Sequence, residues 1–97
     1  MNLYFIETAD QDPTNLSNWF EDSSGNTPAS GPPTSGDDCY IQSGTCSSDS
    51  FAYNSLTVNN NGTVTNNYGT VANNYGTVTN NYGTVADNYG TVTTNSS

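Results

Sequence analysis

The sequence predicts an all-β chain, a small β-solenoid (β-helix) with 14-residue coils behind an irregular N-terminal cap. Three observations predict it. From Gly62 the chain reads GTVTNNY, GTVANNY, GTVTNNY, GTVADNY, GTVTTN, a seven-residue unit used almost five times. Each unit joins a β-favouring triplet, Thr-Val-Thr or Thr-Val-Ala, to turn-forming Asn-Asn-Tyr-Gly. The residue after Val alternates as Thr65, Ala72, Thr79, Ala86, Thr93, so the true period is fourteen and each coil holds two unequal strand-turn units. A heptad coiled coil is excluded, because only Val and Tyr are apolar and each unit carries residues that disfavour helix. A long antiparallel meander is the alternative arrangement, and identical units favour stacking in one direction.

Composition narrows the function classes. The 97 residues contain no Lys, Arg or His against nine acids, for a formal charge of −9. Such a chain has no side chain with which to neutralise phosphates, which argues against nucleic acid, and none to hold it on an anionic membrane. No apolar run approaches the roughly 18 residues of a membrane span, and the start, Met-Asn-Leu-Tyr-Phe-Ile-Glu, has no basic region of the kind that opens a signal peptide. Without His or Lys, general-base catalysis would rest on carboxylates or tyrosines, and no enzyme is expected. Only fourteen residues are Leu, Ile, Val or Phe, a deficit that in an unpatterned chain reads as disorder. The strict period argues for order here.

Taken along the chain, residues 1–58 hold eight of the nine acids and are expected to form an acidic cap; residues 59–97 form the heptad-repeat shaft. Met1–Ile6 alternates as a short strand with Tyr4 and Ile6 on one face. After an Asp/Pro loop, Leu16-Ser-Asn-Trp19-Phe20 is an apolar knot expected to seal one end, with Trp19 and Phe20 as the cap residues. Residues 22–38, rich in Pro, Ser and Gly, form a turn or linker. Asp37–Ile41 is a second strand and Gly44–Cys46 a third. In the shaft, side chains alternate faces, so Val64, Val71, Val78, Val85 and Val92 point inward as the repeat core. Stacking coils brings like onto like: Tyr68, Tyr75, Tyr82 and Tyr89, and the amides of Asn66, Asn67, Asn73, Asn74, Asn80 and Asn81, form ladders. The array begins and stops with full units and is expected to invite another strand at its edge.

Gly-Thr-Cys46-Ser-Ser-Asp matches Gly-Thr-Val-Thr-Asn-Asn, which puts Cys46 at the inward Val position, and Cys39 lies seven residues earlier. The two are expected on adjacent strands at disulfide spacing, a staple for a core-poor chain; two reduced, buried cysteines are the alternative. Two Cys without His make a poor metal site. Asp10/Asp12 and Asp37/Asp38 are candidate calcium ligands, although solvated charge accounts for them and no calcium-loop motif is present, so no cofactor is expected. The sequons Asn15-Leu-Ser, Asn61-Gly-Thr and Asn95-Ser-Ser do not follow the repeat. Outward Thr63/Thr65, Thr77/Thr79 and Thr91/Thr93 would form a regular grid that resembles the ice-binding face of insect-type β-solenoid antifreeze proteins.

The segment Asn18-Trp-Phe…Pro32-Pro-Thr-Ser-Gly-Asp-Asp-Cys-Tyr-Ile41…Ser43-Gly-Thr resembles the pattern found in β-solenoid fibre proteins of tailed phages and bacterial surface passengers. The resemblance covers about residues 16–46. It implies that this segment begins a β-helical shaft and that the Gly-Thr-Val units are the shaft. Cys39 and Cys46 stand where that family usually has hydrophobes, and the run of units is too short for a full adhesive tail fibre. The expectation is a non-enzymatic structural subunit on a virion or cell exterior, partnered by copies of itself as a filament or a trimer. The alternative is a binding module that uses its repeat faces for ice or carbohydrate.

Overall fold

The computed structural model describes residues 1–96; Ser97, which ends the third sequon, lies outside them. Eight strands form one continuous β-solenoid of about four turns: β1 Asn2–Ile6, β2 Trp19–Phe20, β3 Asp38–Ser48, β4 Ser55–Asn67, β5 Thr70–Asn74, β6 Thr77–Asn81, β7 Thr84–Asn88 and β8 Thr91–Asn95, with one 3-10 turn at Leu16–Asn18. Every pairing between successive coils is parallel: β1 with β3, β3 with β4, β4 with β5 and β6, β5 with β7, and β6 with β8. A meander would need antiparallel neighbours, and among the described strands only β1 and β2 pair that way.

The register carries the fourteen-residue period. Val64 pairs with Val78 and Val78 with Val92 in one column, and Val71 with Val85 in the other. The first coils are larger. Asp38 pairs with Ser55 and Cys46 with Val64, seventeen and eighteen residues on, and Thr57 pairs with Asn73, sixteen on. The surplus is absorbed at corners, by a bulge between Ile41 and Ser43 and a bend at Gly44, whose φ of +79° suits glycine. The two strands expected at 37–41 and 44–46 are therefore one bent strand.

Larger coils need larger fillings. The column Phe5–Ile41–Val58–Asn74–Asn88 follows the register of five successive coils and passes from aromatic to aliphatic to amide. Leu3–Cys39–Leu56 and Cys46–Val64–Val78–Val92 run beside it. The acidic and repetitive halves share this single core, and β4 crosses the 58/59 boundary unbroken, so the compositional boundary is not a structural one. Val64, Val71 and Val78 are fully buried, while Val85 and Val92, in the outermost coil, are partly buried.

The other end is closed. Strand β2 runs antiparallel to β1, Trp19 opposite Phe5 and Phe20 opposite Tyr4. Trp19 is buried, packs edge-on against Phe5 and Phe51 with ring centroids 5.5 and 5.0 Å away, and its indole Nε1–H donates to the Pro13 carbonyl at 2.8 Å. Asn18, also buried, accepts from the backbone N–H groups of Thr8, Ala9 and Asp10 and donates to Asp10 and to the Asp12 carbonyl. Such a fully paired amide holds an irregular loop over the end of a core without orphaned polar groups. Leu16, placed in the same apolar knot by the sequence, is 40% exposed.

Candidate functional site

Each heptad gives a fixed division of labour. Val points inward, and so does the second Asn of the pair, three residues on: Asn67 and Asn74 are fully buried beside Val64 and Val71, and Asn81 beside Val78 is nearly so. Two inward positions three apart require a bend between them, which the strict alternation of a flat strand does not give. The inward amides form ladders. Asn67 Nδ2 donates to Asn81 Oδ1 at 2.9 Å, Asn81 Nδ2 to Asn95 Oδ1 at 3.0 Å, and Asn74 Nδ2 to Asn88 Oδ1 at 2.9 Å. The remaining capacity is used on the backbone: Asn67 and Asn74 also donate to the carbonyls of Thr84 and Thr91, and Asn74, Asn81 and Asn88 accept from the N–H of the Gly two residues on. The interior of the repeats is thus half aliphatic and half carboxamide, and the carboxamides bond to one another and to the backbone.

The first Asn of each pair lies on the outer side. Asn80 Nδ2 donates to Asn66 Oδ1 at 3.2 Å, whereas Asn73 is in register with Asp87 in place of an amide. The tyrosines stand outside as two separate stacks, Tyr68 on Tyr82 and Tyr75 on Tyr89, with centroids 5.3 and 5.1 Å apart and rings nearly parallel. All four remain substantially exposed. A further stack, Tyr4 on Tyr40 at 5.0 Å, continues the device on the first coils. On the threonine side, Thr45, Thr63, Thr77 and Thr91 stand in one register rank.

One residue of this system was missed by sequence reasoning. Asp49 follows Cys46 at the same three-residue interval that separates Val from the inward Asn, and it is buried. Its carboxylate accepts from the backbone N–H groups of Tyr68 (2.8 Å) and Gly69 (2.9 Å) and from the Tyr53 hydroxyl (2.7 Å). Burial, then the Asp49 carboxylate, raises the Tyr53 phenol above its ordinary value. Because Gly69 N–H is taken by Asp49, Asn67 Oδ1 lacks the donor that its counterparts have. Among the described residues it is the one buried side-chain oxygen or nitrogen without a partner. The signal was present in the match of Gly-Thr-Cys-Ser-Ser-Asp to the repeat, which aligns Asp49 with Asn67.

The cysteines differ from expectation. Cys39 and Cys46 are both free and both buried. They lie on one strand, β3, at two inward positions of different columns, Cys39 beneath Leu56 and Cys46 beneath Val64, and not on adjacent strands facing each other. Burial pushes both thiols up to about 12, which leaves them as neutral, apolar-filling side chains at ordinary pH.

The candidate calcium carboxylates are engaged in turns. Asp10 accepts from Asn15 and Asn18, and those bonds hold it below the usual carboxylate range. Asp12 accepts from Thr14. Asp37 is lowered chiefly by the Thr34 N–H, and Asp38 by Asn54 and then Ser55. Among the described residues no three Cys, Asp or Glu side chains gather where they could hold a metal ion.

The edge of the outermost coil is the remaining feature. Strand β7 pairs only with β5 and β8 only with β6 among the described strands. Between them lies an open hollow of about 430 Å³ lined by Val85, Val92, Asn88 and their neighbours. The molecule measures 34 × 23 × 19 Å. Comparison of the chain with known protein families, curated proteins and solved structures found no match.

Proposed function

We propose that the chain is a non-enzymatic structural subunit of a fibre on a virion or cell exterior, a short rod sealed at its β1–β2 end that self-associates with a second copy through its β7–β8 edge. The observation that carries this reading is the contrast between the two ends. At the first, Trp19 and β2 cover the core and the edge of β1. At the other, two strand edges and two partly buried valines look outward. A strand edge with a hydrophobic centre and a regular ladder is a template for further pairing. The acidic head, which holds eight of the nine carboxylates, repels other heads and leaves the nearly neutral shaft edge as the place of contact.

The test is electron microscopy with light scattering of the purified chain across a concentration series at about 0.15 M salt, where long-range repulsion is screened. Paired rods longer than the 34 Å molecule are expected, and they should be lost in Val92→Lys, which puts a charge in the middle of the edge. Monomers at every concentration would reject the reading.

A further inference from the structure

Beneath the Tyr75–Tyr89 stack the coil changes size. In β4, Asn59, Asn60, Asn61 and Gly62 cross the corner between Val58, paired with Asn74, and Thr63, paired with Thr77; the coil above crosses it with Tyr75 and Gly76 alone. In β3 the same corner, from Ile41 to Thr45, is crossed by Gln42, Ser43 and Gly44, one residue fewer. The surplus residues stand out as a shelf on which Asn60 and Asn61 are exposed. Asn59 Nδ2 donates to Gln42 Oε1 at 2.6 Å and ties the shelf to the coil below. An open groove of about 350 Å³ separates this shelf from Tyr75, lined by Gln42, Asn59, Asn60, Asn61 and Tyr75. That volume lies at the lower end of small-ligand sites.

The chemistry of the lining is unusually uniform. Tyr75 and Tyr89 stack along the direction in which coils succeed one another, with rings 10° from parallel. The second face of Tyr75 is therefore turned toward the preceding coil, where no tyrosine continues the column and the asparagine shelf stands instead. Tyr75 is 44% exposed. Opposite this ring face are four carboxamides, each carrying donors and an acceptor, and no charged side chain lines the groove. A ligand that fits must offer a flat apolar face and several hydroxyls able both to give and to accept hydrogen bonds. A pyranose ring has both. A phosphate or acidic ligand meets a chain of charge −9 with no Lys, Arg or His, and a cation finds no carboxylate in the lining.

The geometry points to a binding site for a neutral oligosaccharide in this groove, with Tyr75 as the stacking platform and Gln42 and Asn59–Asn61 as the hydrogen-bonding shelf. The site lies on the side of the rod, away from the β7–β8 edge, so it does not depend on assembly. The full chain would be screened against immobilised cellotetraose, mannotetraose and N-acetylchitotetraose, with sialylated and sulfated glycans as anionic comparators, and hits titrated by calorimetry. Saturable binding to a neutral member is expected. Tyr75→Ala should weaken it by at least about tenfold, Tyr75→Phe should keep the ring and most of the affinity, and Tyr82→Ala, in the other stack, should leave it unchanged. A circular dichroism melt of each variant checks that the fold persists. No binding to any neutral glycan, equal binding to anionic ones, or loss in Tyr75→Phe as great as in Tyr75→Ala would overturn the proposal.

Discussion

Asp49 occupies the place in its coil that asparagine occupies in every later one, and the exchange changes which atoms are satisfied. Its two oxygens take the N–H groups of Tyr68 and Gly69, and the Tyr53 hydroxyl besides. Removing the carboxylate strands these donors, so Asp49→Ala should lower stability by about 2–3 kcal/mol. Asp49→Asn should cost less than about 1 kcal/mol. An amide there can donate toward Asn67 Oδ1 and begin the ladder one coil earlier, while Gly69 N–H turns to that oxygen as its counterparts do. Urea unfolding of the two variants separates these outcomes; equal losses would show that the ladder position has no preference for an amide. The inward column of valines was legible because Val alone is apolar in its triplet. The inward asparagine was not, because alternation along a flat strand puts a residue three places from Val on the outside, and only the corner turns it in.

At the scale of the element, the glycine of each heptad carries the corner. The Asn-Asn-Tyr-Gly turns are made of residues that tolerate left-handed backbone, yet among the described residues positive φ occurs only at Gly25 and Gly44. The repeat glycines are needed for closeness. A Cβ on Gly83 would collide with the Gly69 carbonyl oxygen and the Tyr68 backbone of the coil below, and one on Gly90 with Gly76. These are backbone atoms held by the ladder and cannot swing aside. Gly83→Ala should therefore destabilise by about 1–3 kcal/mol through overpacking. Gly31→Ala meets nothing within 4 Å and should be neutral or raise stability by about 0.4–1 kcal/mol through the unfolded chain. Thermal melts of the pair test this; a harmless Gly83→Ala would mean the coils are not packed at backbone contact. The position of glycine in the unit was visible from its period. Its reason was not, since contact between coils fourteen residues apart leaves no local mark.

Over the whole molecule, the buried apolar filling thins from one end to the other. The first coils hold Phe5, Ile41, Leu56 and Trp19, and the later ones hold one valine and one asparagine per heptad. A stack of this kind behaves as a row of neighbours, each coil stabilised by the coils it touches. Deletion of residues 70–83, one complete coil, rejoins Gly69 to Thr84 and keeps the registers of valine and inward asparagine, with Asp87 and Thr94 taking the outer places of Asn73 and Asn80. The shortened chain should fold with an unchanged circular dichroism signature and a lower melting temperature. Failure to fold would show that the coils are not interchangeable. The fold class and the fourteen-residue stacking were readable because the repeat states them openly. The enlarged coils of residues 38–67 were not, because their corners interrupt the period that made the rest visible.

Those irregular corners have a consequence for how the chain finds its place. A ladder of identical units is ambiguous: slipped by one coil, valine would still meet valine and amide would still meet amide. The sixteen-to-eighteen-residue offsets of the first coils fit one alignment only, and Asp49 sits at their junction with the array. They act as the zero mark on a ruler whose divisions are all alike, and counting must start from them. Folding that begins at the sealed end and proceeds outward reads the scale correctly, whereas a nucleus formed inside the repeats would have no way to know which division it held.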